Sequence, residues 1–159
     1  MNEDLKLKGS AGLNFLRCIV FIGIILGIVF AFLSLYDPRT DEEKEADARA
    51  EFLSDHYVVS ALNGVRKVYV KYGISELKSV SYLYGSKEKY VLVTYTDKYG
   101  SEEKRCYNLT KDKFCDPDEF YDASAKLGAY NNFVNSKKEY RRDFSEQHEL
   151  QILLEEVIG

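Results

Sequence analysis

From Cys18 to Tyr36 the chain reads CIVFIGIILGIVFAFLSLY, nineteen residues without a charge. Such a run differs in kind from the alternating and periodic patterns that follow it. At 1.5 Å per residue a helix over this stretch covers roughly 28 Å, close to the ~30 Å hydrocarbon core of a bilayer. Only a helix or a closed barrel satisfies its own backbone there. The run therefore predicts a transmembrane helix within 13–36, preceded by a flexible polar tail, 1–12, and followed by a short linker, 37–40. A cleaved signal peptide is the rival reading. Its apolar region is shorter, about 7 to 15 residues, and ends at a small-x-small site, whereas this run ends Phe32-Leu33-Ser34-Leu35-Tyr36.

Beyond the run the pattern turns amphipathic. Asp37-Pro38 halts the first helix, because a residue before proline is pushed out of the α region. Thr40-Asp41-Glu42-Glu43 then has the form of a capping box. Ala46, Ala50, Leu53, Tyr57, Ala61, Val65, Val68 and Tyr72 recur in steps of three or four, which is one face of a helix ending at Gly73. Asn63-Gly64 opposes a helix that long. An alternative ends it at Asn63 and makes 65–72 a strand.

Three strand candidates follow, Leu77–Tyr84, Lys89–Thr96 and Glu102–Leu109, joined by the polar loops 85–88 and 97–100. Short polar loops of this kind connect antiparallel neighbours. With four-residue loops, Val80, Tyr82, Tyr84, Val91, Val93, Tyr95 and Cys106 share one face; Leu83, Tyr90, Leu92 and Tyr107 share the other. A one-residue slip inverts a strand. Asp116-Pro117-Asp118 opens a helix carrying Phe120, Ala123, Leu127, Tyr130 and Val134. A last helix is expected from Ser136, where Ser136-Lys137-Lys138-Glu139 forms a second capping box. Its end is apolar on more than one side, and Leu150, Leu153, Leu154, Val157 and Ile158 are candidates for a partner-facing surface, a terminal core helix being the plainer explanation.

The expected fold class is α+β: one N-terminal transmembrane helix, then a soluble domain, 41–159, with a long helix on a three- to four-stranded antiparallel meander and C-terminal helices. In element order alone this resembles cystatin-like and NTF2-like modules, a likeness that transfers no site.

Charge and chemistry narrow the function. The chain has 22 Lys and Arg against 26 Asp and Glu, for a net −4, and no basic cluster beyond Lys137-Lys138 and Arg141-Arg142, so a nucleic-acid partner is not expected. Basic residues tie across the apolar run, Lys6, Lys8 and Arg17 before it and Arg39, Lys44 and Arg49 after it. The positive-inside rule therefore does not decide orientation. A short tail before the run and a large domain after it suggest a signal-anchor layout, with the N-terminus cytoplasmic and the domain on the non-cytoplasmic side.

His56 and His148 stand without carboxylate or cysteine at ligand spacing, and HExxH, Gly-rich phosphate loops and CxxC are absent. No cofactor, metal or catalytic set is expected. Cys106 and Cys115 bracket the eight residues 107–114; bonded, they would close a loop of about ten residues and contribute about 2.5 to 3 kcal/mol in the chain-entropy model, and in a reducing compartment they are two half-buried thiols. Asn108-Leu109-Thr110 is an N-glycosylation sequon, relevant in a secretory pathway. Tyrosine, 13 residues in all, can furnish a binding surface or fill a small core. Within the apolar run Gly23, Gly27 and Ala31 recur every fourth residue, the small-xxx-small spacing that lets membrane helices pack closely. The expected function is a non-catalytic, membrane-anchored binding or assembly module, an accessory subunit that meets the bilayer and either itself or another membrane protein. The alternative is a tethered small-ligand-binding or catalytic domain.

Overall fold

The computed structural model describes Arg17, residues 19–33, residues 38–133 and residues 140–159. The polar tail, Cys18, the stretch 34–37 and the capping box at 136–139 lie outside them. The chain divides into two units, Met1–Glu45 and Ala46–Gly159. The order is α1 (19–33), α2 (Asp41–Ser54), α3 (His56–Tyr72), β1 (Glu76–Leu83), β2 (Tyr90–Thr96), β3 (Glu102–Asn108), β4 (Lys113–Cys115), α4 (Pro117–Phe133), β5 (Arg141–Phe144) and α5 (Gln147–Ile158). It is an α+β protein whose one described sheet is antiparallel, in the order β4-β3-β2-β1-β5.

Among the described residues no helix is long and apolar enough to cross a membrane. The reason is length: fifteen residues of α1 reach only about 22 Å, and the remainder of the apolar run is Cys18 and 34–36. The capping box expected at the start of α2 is present. The Thr40 amide donates to Glu43 Oε2 at 2.9 Å and the Glu43 amide to Thr40 Oγ1 at 3.2 Å.

The long helix is two helices. It breaks at Asp55, in extended geometry, whose Oδ1 accepts from the Tyr57 amide, so Asp55 is an N-cap in the middle of the periodic pattern. The helix then runs straight through Asn63-Gly64, which excludes a strand at 65–72. Glycine is required there by packing: a Cβ on Gly64 would stand 2.5 Å from the Val91 side chain. Gly73, at φ 75°, ends α3.

Two cores sit on opposite faces of the sheet. On one, Val58, Ala61, Val65 and Val68 of α3 and Leu150 and Leu153 of α5 pack on Val80, Tyr82, Val91, Val93, Tyr95 and Phe144. On the other, Phe120, Ala123 and Leu127 of α4 cover Leu83, Tyr90, Leu92 and Cys106. The expected β1–β2 faces are as read, but Cys106 and Tyr107 are exchanged. Thr96 pairs with Glu102, leaving a five-residue loop in place of four. Asp97 builds it, its Oδ1 accepting from the amides of Tyr99 and Ser101, with Gly100 at φ 85°. That single extra residue inverts β3.

A second correction concerns β5. Arg141–Phe144 is a strand on the outer edge of β1, pairing Val80 with Phe144 and Leu83 with Arg141, and α5 begins only at Gln147.

Candidate functional site

Three places bear on function: α1, the β3–β4 edge and the α5 face. In α1 the large apolar side chains are all exposed, from 47% at Val29 to 74% at Phe30. Gly23, Gly27 and Ala31 lie along this helix, and a Cβ at Gly23 or Gly27 would meet nothing within 4 Å. Exposed apolar surface on this scale is uncommon in monomers in water.

At the β3–β4 edge the chain turns through 109–112, with Asp112 at φ 48°. Asn108 is wholly buried. Its Nδ2 donates to Glu88 Oε2 at 2.7 Å and its Oδ1 accepts from the Lys111 amide at 2.9 Å. Thr110, the third residue of the sequon, accepts from the Lys89 amide through Oγ1 at 2.9 Å. The Asn-Leu-Thr sequence thus serves the turn, and a glycan on Nδ2 would displace Glu88 from a closed site.

Glu88 gathers three donors. Lys111 Nζ stands 2.6 Å from Oε1, and the Tyr90 hydroxyl donates to Oε2 at 2.7 Å alongside Asn108. Lys111, then Tyr90 and Asn108, hold the carboxyl at a pKa of about 2. Burial, and then the Glu88 hydrogen bond, push the Tyr90 hydroxyl up. On the opposite face Tyr107 donates to Asp112, which Lys67 also approaches at 3.1 Å; Tyr107 and then Lys67 hold the Asp112 carboxyl below its ordinary range. These tyrosines are core residues that satisfy a polar tip. Tyr82, Tyr90, Tyr95 and Tyr107 are all buried, which leaves the sheet without the tyrosine binding surface considered above.

Cys106 and Cys115 stand directly opposite one another in the β3–β4 ladder, both as free thiols. Cys106 is buried and Cys115 half-buried. Their mutual hydrogen bond lowers the Cys115 pKa and, with burial, raises that of Cys106.

The α5 residues do not form a partner-facing stripe. Leu150 and Leu153 are buried in the domain's own core, Leu154 and Val157 pack at its margin, and Ile158 alone of the five is exposed. The apolar excess has an internal use, because α5 lies against both β1 and α3. Between β1 and α5 a cavity of about 340 Å³ is lined by Glu76, Leu77, Lys78, Leu150, Gln151 and Leu154. His56 and His148 are exposed, and among the described residues no three His, Cys, Asp or Glu side chains cluster to hold a metal ion. The chain matches no known family, no curated protein and no solved structure.

The polar network at Glu88 escaped sequence reading because its members come from the β1–β2 loop, β2, β3 and the following turn. The Asn108-x-Thr110 spacing is the available signal, and it has the form of a glycosylation sequon as well.

Proposed function

We propose that this protein is a non-catalytic, membrane-anchored binding or assembly module, an accessory subunit of a membrane protein complex. The apolar run 18–36 is its anchor and the α+β domain its recognition part, on the non-cytoplasmic side. The exposed apolar surface of α1 is the observation that supports this reading. A helix uncharged over fifteen consecutive residues gains nothing from water, and placing it in lipid removes the cost of hydrating Phe21, Phe30, Phe32 and the aliphatic residues between them. In that setting the Gly23, Gly27 and Ala31 positions offer the close backbone approach by which helices associate in lipid.

The test is fractionation of the full chain in cells with alkaline carbonate extraction, then detergent solubilisation, affinity isolation and mass spectrometry. Retention in the membrane pellet with a stoichiometric membrane partner, or with a second copy of the chain, is the expected result. Release into the carbonate supernatant would sink the anchor. Protease added to sealed, right-side-out cells or vesicles should digest the domain, and full protection would reverse the orientation.

A further inference from the structure

The β3–β4 hairpin carries chemistry that the assembly role does not use. We propose that Cys106 and Cys115 are a cross-strand disulfide pair, a covalent site that ties the end of β4 and the start of α4 to the sheet. The inference stands apart from membrane anchoring and rests on register. Directly opposed residues in antiparallel strands have Cα atoms about 4.5 or 5.5 Å apart, inside the roughly 4.4–6.8 Å that a disulfide spans. Cys106 and Cys115 are such a pair.

Placement gives the bond a purpose. β4 has three residues and lies at the outer edge of the sheet. Cys115 is its last residue, one position from Asp116, whose Oδ1 accepts from the Asp118 amide at 3.0 Å as α4 begins. Cys106 lies beneath Phe120 in the core that α4 covers. A bond between them would fix the point at which the chain leaves the sheet.

The two sulfurs also have different roles. Cys115 is the accessible one, and its depressed pKa makes it the better nucleophile near neutrality. Its thiolate attacks a sulfur of a disulfide oxidant, such as oxidised glutathione, and expels one glutathione thiolate. Cys106 gives up its proton and attacks the Cys115 sulfur of the mixed disulfide, expelling the second. The protein loses two electrons and two thiol protons, and two molecules of reduced glutathione result.

The experiment uses the full chain in detergent with Cys18→Ser, which leaves only these two thiols. After exposure to oxidised glutathione, acid quenching and alkylation, peptide mapping should recover 106 and 115 as one linked fragment. The thermal midpoint should rise by roughly 10 °C, as expected for closing a loop of about ten residues. In Cys106→Ala, glutathione should remain on Cys115; in Cys115→Ser, Cys106 should take up far less. Quantitative alkylation of both sulfurs after oxidation would overturn the proposal, as would a glutathione adduct that persists on Cys115 while Cys106 is present. Circular dichroism on each variant separates loss of the bond from loss of the fold.

Discussion

Helices α1 and α5 carry the same signal in sequence, apolar residues on more than one side, and meet opposite fates. In α5, Leu150, Ile152 and Leu153 are buried, Leu153 completely, because two elements, α3 and β1, stand on different sides of the helix. In α1 the large side chains remain exposed. Apolar excess thus indicates that a helix needs company without saying whose. The contrast between charge-free and charge-bearing sequence is more informative: α5 contains Glu149, Glu155 and Glu156, which turn to Arg142 and Arg49, whereas 19–33 contains no ionisable side chain.

The largest expected effect lies on the α5 side. Leu153→Ala should destabilise the domain by about 2–5 kcal/mol, the range for a leucine deleted from a packed core, read from urea unfolding of the full chain in detergent. Ile25→Ala in α1 should leave that transition within about 0.5 kcal/mol. Equal effects would abolish the distinction between the two helices.

Two glycines sharpen it further. Gly64→Ala forces a methyl group against the Val91 Cβ and should cost about 1–3 kcal/mol, read from urea unfolding. Gly27 meets nothing, so Gly27→Leu and Gly27→Ile should leave domain stability unchanged. They should weaken self- or partner association in a membrane two-hybrid or crosslinking assay. Equal association by wild type and both variants would reduce the helix to a tether.

The smallest effect is electrostatic and belongs to the domain alone. Glu88 has a pKa of about 2 in the fold against 4.5 ordinarily. A depressed carboxyl stabilises the fold above its unfolded pKa, and that contribution drains away as pH falls from about 5 to about 2. Glu88→Gln should therefore flatten the acid limb of the stability profile over that window, and an unchanged limb would show that Lys111 and Asn108 do not hold the charge.

Much of the domain was legible in its periodicity. The β1–β2 register, the Thr40 capping box and the Gly73 stop follow from local chemistry that no distant contact overrides. The errors arose where distant contacts decide. Asn63-Gly64 looked like a breaker because the cost of a helical glycine is local and its compensation, Val91, lies on a strand far along the chain. Arg141-Arg142-Asp143-Phe144 looked helical because a four-residue edge strand has too few positions to display alternation. The face of β3 turned on one residue in the Asp97 loop. Of the candidate sites, Cys106 and Cys115 were found by spacing alone, while Glu88 has no local signature.

The strand order has a kinetic consequence. Neighbours along β4-β3-β2-β1 are also neighbours in sequence, so the meander closes through short loops. β5 reaches β1 only after a long excursion; Ser81 and Asp143, hydrogen-bonded in the fold, are 62 residues apart. Closing so large a loop is entropically expensive before any contact repays it, and nonlocal pairings of this kind slow folding. The outer edge of β1 is covered by β5, and until Arg141–Phe144 pair there it is an open template for strands of other chains. Aggregation during refolding should therefore rise with protein concentration and start at β1, the one strand whose protection is delivered from the far end of the domain.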